Sequence, residues 1–414
     1  MKRIRRTILV ALTGMVASFA FAAQIVQDEM LETFQRLARI NSQSSEDSVS
    51  TYGQYLMALE IERTVNEILK SDPDAGCVTV SPTNYVYVRI SPNIKKPCKV
   101  LGVSCHLDVT PEAPGGNIVP IVDTRNGHTI VRTDGSTLLG ADDKCGVTIA
   151  LQLIKKVVTD KKLKHGEIVF AFCPNEDVGR AAENIDTLKF NPEILFDIDG
   201  PGGENVTKSN FTARGFNLKF IGHDAHPGDA KAEKLGDAVA AAATFVSFFP
   251  IEVRPERTEG LEGYIHPWGF KVDSLDVTVL TRVRYFDPAE GKRFDGLLKD
   301  AVSKVKSDYP NVCVEVLYDD LQYENVALSL HPQARQLVEK AAAITGKEVK
   351  FADERGGTTA AMFAAKGMIS GMCLFSGQHE IHSTREYADL QEMEDSYKLM
   401  LEIIKEVPKL PAAD

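Results

Sequence analysis

A histidine and a carboxylate follow one apolar run of this 414-residue sequence at a spacing suited to metal chemistry. The run at 100–105 predicts a buried strand. It leads into His106 and Asp108, whose side chains lie on the same side of an extended chain. A histidine that binds a metal commonly donates its second ring nitrogen to such a carboxylate. Taken alone, the pair is equally consistent with a structural histidine.

Acidic residues follow three further apolar runs, and two histidines stand near the end of the chain. The acids are Asp142 and Asp143, Glu176 and Asp177, and Asp197 and Asp199, and the histidines are His379 and His382. Capping of a helix that begins near Gly146 accounts for Asp143 alone. Three acidic strand ends together with His106 exceed what capping requires, which favours a metal centre.

The donor types indicate which metals and which reaction to expect. Carboxylate and imidazole donors without cysteine, some of them able to bridge two ions, suit zinc, cobalt or manganese, with zinc the default for hydrolysis. Two neighbouring ions hold a water and polarise a carbonyl group. A further carboxylate must accept the proton of that water, and Glu176 precedes the candidate ligand Asp177. These residues therefore predict a two-metal hydrolase.

The elements that would position these residues alternate between helix and strand. Apolar residues three and four apart predict helices between 25 and 72, and a further helix-like segment covers 146–159. Short β-rich runs occur at 78–80, 85–90, 100–104 and 168–173. This alternation predicts an α/β fold that binds its ligands at the carboxyl ends of the strands.

A second unit interrupts this pattern. Residues 212–317 show the order strand, helix, strand, strand, helix, strand. The first pattern then resumes with a helix at 332–345, a strand near 349–351 and a helix at 389–405. We therefore expect a small domain at 212–320, inserted into a larger one built from 23–211 and 321–414.

The N-terminus has the features of a secretion signal. Basic residues at 2–6 precede an apolar run at 7–21, and Ala20-Phe21-Ala22 is a small-residue cleavage pattern, so we expect residues 1–22 to be removed. The run is short for a stable membrane span, which needs about 20 apolar residues. We expect export to the periplasm or the cell exterior. An uncleaved anchor, or a cytoplasmic protein without a signal, is the alternative.

The net charge limits the binding partners to expect, and the cysteine content limits the disulfide bonds. Loss of four basic residues and no acid with the signal would change the formal charge from −11 to −15, which argues against nucleic acid as a partner. The seven cysteines are odd in number and widely spaced, and they indicate no disulfide framework. We interpret Cys105, Cys145 and Cys173 as packing residues.

Motifs along most of the chain resemble the M20 family of metallopeptidases. They are His106-Leu107-Asp108, Pro174-Asn175-Glu176-Asp177, Ile198-Asp199-Gly200, His226-Pro227-Gly228, Arg355-Gly356-Gly357-Thr358 and His382-Ser383-Thr384-Arg385-Glu386. The segment 134–144, DGSTLLGADDK, is similar to the tripeptidases of that family. The resemblance implies a zinc-exopeptidase-like catalytic domain, with a mixed central sheet flanked by helices, and an inserted β-α-β-β-α-β lid domain.

The resemblance also implies a role for each candidate residue. It gives His106 and Asp199 to one zinc ion, Asp177 and His382 to the other, and Asp142 to both as a bridge. Asp108 would orient His106, and Glu176 would be the general base. The peptide bond between Asp142 and Asp143 would be cis.

Three residues resemble family positions that bind substrate. His226 would hold the carbonyl oxygen of the substrate as negative charge develops. Its alternative is a turn histidine before Pro227. Arg284 and Arg355 would bind a peptide carboxylate, for which a guanidinium group is well shaped, and salt bridges are the alternative for both.

The chain departs from the family pattern at a ligand and in the inferred substrate pocket. Asp177 stands where the family usually has Glu, and Thr359 stands where the tripeptidases have an acid. At the terminal ligand, His382 fits the family spacing to Glu386. His379 fits this spacing less well, and we expect it to lie beside the site.

We predict that the protein removes the N-terminal residue from short peptides, with tripeptides favoured. A dipeptidase, a carboxypeptidase and an N-acyl-amino-acid deacylase can use the same metal core and are alternatives. A catalytically silent peptide-binding relative is a further alternative, and the presence of Glu176 beside a full ligand set argues against it. Pairing through the lid surface leaves a homodimer open.

Overall fold

The computed structural model describes residues 24–410, which form helices α1–α8 and strands β1–β15. The helices are α1 (24–38), α2 (Tyr52–Leu69), α3 (Ala141–Thr159), α4 (Ala238–Phe248), α5 (Pro288–Asp308), α6 (Ala334–Thr345), α7 (Thr359–Ala365) and α8 (Leu390–Glu406). The strands are β1 (Gly76–Val80), β2 (Val86–Ile90), β3 (Leu101–His106), β4 (Ile121–Arg125), β5 (His128–Arg132), β6 (Ile168–Cys173), β7 (Ile194–Pro201), β8 (Asn205–Asn210), β9 (Thr212–Ile221), β10 (Tyr264–Asp273), β11 (Asp276–Tyr285), β12 (Cys313–Tyr323), β13 (Lys350–Glu354), β14 (Gly371–His379) and β15 (Tyr387–Asp389).

The larger sheet has 11 strands and positions the candidate ligands. Its main order is β1-β2-β6-β3-β7-β14-β15-β5-β4, with β8 beside β14 and β13 beside β8. Strands β6, β3, β7 and β14 are parallel to one another, whereas β2 and β15 are antiparallel to their neighbours. Every residue of β3 and β6 is buried, as expected for parallel strands covered on both faces. The carboxyl ends of the parallel strands therefore meet at one edge.

Helices pack on both faces of this sheet. On one face, α1, α2, α3, α6 and α8 share a hydrophobic core with Val103 and Phe170. On the other face, α7 contributes Phe363 to a core that includes Val169 and Ala171. Val169 and its neighbour Phe170 lie in different cores because successive side chains of a strand point to opposite faces.

A four-stranded antiparallel sheet, in the order β10-β11-β9-β12, forms a second unit with α4 and α5. Its elements follow one another along the chain as strand, helix, strand, strand, helix and strand. Phe216, Phe245 and Phe294 pack in a core that belongs to this unit alone. Its action as a lid, and the domain limits 23–211, 212–320 and 321–414, stay predictions.

The α/β class with a mixed central sheet flanked by helices is confirmed. The helix expected from Gly146 instead begins at Ala141, with non-helical backbone angles at Asp142 and Asp143. The sequence pattern does not predict α7 or the strands β4, β5, β8, β14 and β15. Strand β15 has only three residues, and the burial of β4 and β8 is partial, so their apolar pattern is weak.

Two further expectations concern the N-terminus and the cysteines. The expected signal segment, 1–22, lies outside the described residues. Between 24 and 410, no helix is both long enough and apolar enough to cross a membrane. All seven cysteines lie in the described part of the chain and are unpaired. Cys105, Cys145 and Cys173 lie in the cores of the larger unit, which confirms their interpretation as packing residues.

Candidate metal centre

Five predicted ligands converge at the carboxyl edge of the larger sheet. His106 ends β3, Asp142 lies in the first turn of α3, Asp177 follows β6, Asp199 lies in β7 and His382 follows β14. They form two groups, His106 with Asp142 and Asp199, and Asp142 with Asp177 and His382. Within each group the donor atoms lie within 4.8 Å of one another. Asp142 belongs to both groups.

The first group is built around His106. Its Nε2 atom lies 2.8 Å from Oδ1 of Asp142 and 3.5 Å from Oδ1 of Asp199. Its Nδ1 atom lies 3.4 Å from Oδ1 of Asp108, and both side chains are fully buried. The two oxygens of Asp108 accept the backbone N–H groups of Glu176 and Asp177, at 3.0 and 3.2 Å. Asp108 therefore joins the end of β3 to the loop that follows β6.

The second group is built around His382. Its Nε2 atom lies 2.9 Å from Oδ1 of Asp177 and 3.3 Å from Oδ2 of Asp142. Asp177 therefore reaches its partners although it is one methylene shorter than the usual Glu. The other ring nitrogen of His382, Nδ1, lies 3.3 Å from Oε2 of Glu112, a partner that the sequence analysis does not identify.

His379 lies beside these groups, as expected. Its Nε2 atom lies 2.7 Å from Oε2 of Glu392 in the first turn of α8. Its ring stacks on Tyr387, with 4.5 Å between the ring centroids. Of the two neighbouring histidines, the structure brings His382 and not His379 to Asp142.

The backbone before Asp142 is held by one buried carboxylate. Glu386 is 2% exposed, and its Oε2 atom accepts the N–H groups of Leu139 and Gly140, at 3.1 and 2.6 Å. Its Oε1 atom accepts the N–H group of Asp142 itself, at 3.0 Å. A side chain from the last part of the chain thus fixes the residue shared by both groups.

Asp143 continues this support on the other side of Asp142. The peptide bond between the two residues is cis, as expected. The Oδ1 atom of Asp143 accepts the N–H group of Gly146 at 2.9 Å, which is the capping role expected from the sequence. Its Oδ2 atom also accepts the N–H group of His106 at 3.1 Å, so the cap ties α3 to β3.

Two other polar residues at the centre have no assigned role in the sequence analysis. Asp197 accepts the hydroxyl of Ser104 at 2.6 Å and the N–H group of Ala360 at 3.1 Å, and burial raises its pKa to about 7. Gln378 donates its amide to Oδ1 of Asp199 at 3.2 Å and to the carbonyl of the same residue at 2.9 Å. For Asp197, the sequence offers one signal of a place at the centre, which is its spacing of two from Asp199. Alternate residues of a strand share a face, so the two side chains point the same way.

The electrostatics of the centre favour bound cations. Burial raises the pKa of Asp177 to about 7 and that of Asp199 to about 6, and it raises the pKa of Glu176 well above its ordinary value. Hydrogen bonds to Asp142 and Asp177 raise the pKa of His382 to about 11. Carboxylates are thus buried here in excess of the positive charge that the protein supplies.

The donor set fits two divalent cations. Bonds from zinc to imidazole nitrogen or carboxylate oxygen are about 2.0–2.2 Å long, so neighbouring donors in a tetrahedral site lie about 3.4 Å apart. The distances between donors here run from 2.8 to 3.5 Å. Oδ2 of Asp177 is buried and has no hydrogen-bond partner among the described residues, which leaves it free for a cation. Cobalt and manganese accept the same donors.

Both groups border a cavity of about 340 Å³. Four of the five ligands and Glu176 line it, and the remaining lining residues are Gly179, Gly200, Pro201, Thr207, Tyr323, Glu354, Gly356, Gly357, Thr358, Met362, Cys373, Gln378 and Ile381. Between 24 and 410, no lysine or arginine contributes to this lining. Thr359 is fully buried in α7 and is not part of it. Glu176 is thus a carboxylate that lies next to the predicted ligands, is not itself one of them, and faces an open space.

His226 is not brought to the metal centre. Its side chain is 74% exposed, and its Nδ1 atom accepts the N–H group of Gly228 at 3.2 Å. The residue does not line the cavity. This arrangement matches the alternative of a turn histidine and gives no support to a contact with substrate.

Arg284 lies one side chain away from the cavity. Its Nη1 atom donates to the carbonyls of Arg214 and Val283, and its Nη2 atom donates to Oε1 of Gln322 at 3.1 Å. Its guanidinium group lies 5.3 Å from the ring centroid of Tyr323, which lines the cavity. Arg284 therefore supports a lining residue and does not itself face the open space.

Arg355 makes its hydrogen bonds to the small unit. Its Nη1 atom donates to the carbonyls of Gly260 and Glu262, and its Nη2 atom donates to Oγ1 of Thr258, each at 2.9 Å. Its guanidinium group also lies 4.8 Å from the ring centroid of Phe211. With these contacts made, the expected binding of a peptide carboxylate receives no support from the structure.

The chain matches a known peptidase family, and it is similar to named relatives and to solved structures. Residues 102–406 match the family described as Peptidase family M20/M25/M40. The chain is 28% identical to peptidase T of Geobacillus kaustophilus (strain HTA426) over 414 aligned residues, which cover 92% of this chain and 98% of the relative. Its fold is similar to that of a tripeptidase from Staphylococcus aureus, with a TM-score of 0.74 and 20% identity over 93% of this chain and 99% of that one. It is also similar to a dinuclear metal-binding peptidase of the M20 family from Bacillus subtilis, with a TM-score of 0.68 and 13% identity over 94% and 99% of the two chains.

Proposed function

The chain belongs to peptidase family M20/M25/M40, and from this premise we propose that it removes the N-terminal residue from short peptides, above all tripeptides, with two zinc ions at the centre. The observation that most supports two ions is the position of Asp142. Its two oxygens contact the two histidines separately, at 2.8 Å from His106 and 3.3 Å from His382. A carboxylate in that position suits a bridge between two cations.

The residues of this chain divide the work of hydrolysis. Bound zinc ions supply Lewis acidity, which activates a water and polarises the scissile carbonyl group. Glu176 takes a proton from the attacking water and later delivers it to the leaving amine. Its backbone N–H group donates to Asp108, so the same carboxylate that faces His106 also holds the base.

Tripeptides are proposed as substrates on two grounds. The relative from Geobacillus kaustophilus is named peptidase T and covers almost the whole chain, and the similar structure from Staphylococcus aureus is a tripeptidase. The cavity also offers no lysine or arginine from the described residues, whereas a carboxypeptidase or an acyl-amino-acid deacylase must bind a free carboxylate beside the scissile bond.

The test is a parallel assay of the purified mature protein with tripeptides, dipeptides and N-acyl amino acids. The protein is first treated with a chelator and then supplied with zinc, cobalt or manganese separately. We expect tripeptide cleavage to disappear on chelation and to return with zinc, with the free N-terminal amino acid as the first product. Cleavage of N-acyl amino acids alone, or release of the C-terminal residue first, would contradict the proposal.

We also propose that residues 1–22 direct export and are then removed. The support is the sequence pattern of a basic start, an apolar run and the small-residue site ending at Ala22. Fractionation of cells that express the full chain, with N-terminal sequencing of the product, tests this. A protein that begins at Ala23 outside the cytoplasm is expected, and an uncleaved cytoplasmic protein would contradict it.

A further inference from the structure

One carboxylate that lines the cavity is not needed for the metal centre. Glu354 is the last residue of β13, and its backbone carbonyl accepts the N–H group of Phe211 at 3.2 Å. Strand β13 pairs with β8, and this pairing brings Glu354 opposite Asn210. The backbone under this side chain is therefore fixed to the larger sheet, while the side chain borders the same open space as Glu176.

The carboxylate of Glu354 has no partner within the described chain. Between 24 and 410, no group donates a hydrogen bond to it, and no basic side chain lies within 4.0 Å of it. The adjacent Asp353 contrasts with it, since its oxygens contact Lys208 at 3.0 Å and the hydroxyl of Ser209. Burial alone raises the pKa of Glu354, which expresses the cost of a partly desolvated carboxylate that nothing compensates.

The surroundings indicate what kind of group this carboxylate binds. The other four carboxylates of the lining are Asp142, Glu176, Asp177 and Asp199, and all of them belong to the metal centre. Glu354 is thus the one acid of the described lining that remains for a ligand. The described lining holds no lysine or arginine to pair with Glu354, so a ligand that carries its own positive charge suits this carboxylate.

Small residues beside Glu354 leave room for such a ligand. A Cβ atom at Gly356 would have only Cγ of Glu354 near it, at 4.0 Å. A Cβ atom at Gly357 would lie 2.7 Å from the ring of Tyr323, so glycine allows the backbone to pass close to that ring. Gly356 therefore leaves open space beside the carboxylate, whereas Gly357 packs closely against Tyr323.

We propose that Glu354 binds the N-terminal ammonium group of the peptide substrate. This contact would fix the position of the cleaved bond relative to the N-terminus. This inference rests on the proposed aminopeptidase function. Every unblocked peptide carries this ammonium group, whose ordinary pKa is about 7.7–8.0, so it is largely charged at neutral pH. A lysine side chain of the substrate offers the same chemistry, and the experiment separates the two sources.

The experiment compares wild type with Glu354→Gln on Ala-Ala-Ala, N-acetyl-Ala-Ala-Ala and Ala-Lys-Ala, all with zinc present. Wild type is expected to prefer the free tripeptide to the acetylated one. Glu354→Gln is expected to lower kcat/KM for both free tripeptides by about 10- to 100-fold, the range for losing a hydrogen bond between charged partners. It is expected to leave kcat/KM for the acetylated peptide unchanged, so the preference largely disappears.

Asp353→Asn is the matched control, because it removes one negative charge from the neighbouring residue of the same strand. It is expected to leave the preference for the free tripeptide unchanged. Metal content and thermal midpoint are measured for both variants. Since Glu354 has no partner to lose within the described chain, Glu354→Gln is expected to keep both metals and a thermal midpoint at least as high as that of wild type.

The possible results distinguish failure of the Glu354 assignment from failure of the proposed aminopeptidase function. A wild-type protein that cleaves no tripeptide contradicts the aminopeptidase proposal. If wild type cleaves tripeptides and Glu354→Gln lowers kcat/KM equally for free and acetylated peptides, the assignment of Glu354 is overturned. A loss confined to Ala-Lys-Ala also overturns it, since the carboxylate would then bind a side chain. A wild type that cleaves both forms of Ala-Ala-Ala equally overturns it even without a variant.

Discussion

Substitution of Glu386 by glutamine is expected to weaken metal binding at both sites, although Glu386 is not itself a predicted ligand. The change keeps the size and shape of the side chain. It replaces one of the two acceptor oxygens by an amide group that can only donate. Since Oε2 of Glu386 accepts two N–H groups and Oε1 accepts one, the remaining oxygen is expected to stay with Leu139 and Gly140. The new amide group then faces the N–H group of Asp142.

The size of the effect follows from these contacts. A hydrogen bond to a charged acceptor contributes about 1.5–3 kcal/mol, and a buried donor left without a partner costs a similar amount. Glu386 is 2% exposed, so water does not replace the lost acceptor. We expect Glu386→Gln to lower the free energy of unfolding by about 2–3 kcal/mol. Loss of such supporting contacts typically weakens metal affinity by about 10- to 100-fold.

The assay measures zinc affinity by competition with a chromophoric chelator and stability by urea unfolding of the same preparations. Glu406→Gln is the control. Glu406 is 3% exposed, lies on α8 and pairs with Lys340 and Lys409, so its loss removes a buried carboxylate elsewhere in the same core. We expect the control to lower stability and to keep zinc affinity unchanged.

Two results would refute this reasoning. If Glu386→Gln binds both zinc ions with wild-type affinity, the position of Asp142 does not depend on its backbone hydrogen bond. If it loses affinity at one site only, Asp142 is not shared in the way that its contacts with His106 and His382 indicate. Equal loss of zinc affinity in Glu406→Gln would show that general destabilisation causes the effect.

Three other substitutions test single roles. Glu176→Gln is expected to retain two metals and to lower kcat on tripeptides by at least about 100-fold, because the base is lost; near-normal turnover would remove Glu176 from its role. Asp142→Asn is expected to lower metal content at both sites, measured by elemental analysis, and one tightly retained ion would argue against a bridge. Arg355→Lys is expected to lower the thermal midpoint, since three hydrogen bonds to 258–262 are disturbed. The ratio of activity on a tripeptide and its C-terminal amide is expected to stay constant, and a change would restore the predicted contact with a substrate carboxylate.

The candidate ligands could be predicted from the sequence because their positions depend on local rules. His106 directly ends a continuous apolar strand, and Asp177 follows another, so the shared edge of parallel strands predicts their meeting. Asp199 lies inside β7 and not beyond it, because β7 extends to Pro201. Strand alternation still places its side chain correctly, and the small error in the strand end had no effect on the prediction.

Other features depend on contacts between distant parts of the chain, and no local sequence pattern predicts them. Glu386 meets Leu139 across about 250 residues, and Ser104 meets Asp197 only because β3 and β7 are neighbours in this register. For His226 and Arg355, the motif gives the residue type but not the position of the small unit relative to the sheet. Their surroundings are therefore set by packing between two cores, which a linear pattern does not encode.

The position of β14 has a consequence for how the protein is made. This strand comes from 371–379, near the end of the chain, yet it lies inside the larger sheet between β7 and β15. During synthesis, β7 keeps an open edge until β14 emerges, and such an edge readily pairs with other strands. The same late segment leads to His382 and Glu386, so a growing or truncated chain that ends before 371 has no complete centre. A chain truncated before 371 is therefore expected to be prone to aggregation and to lack peptidase activity.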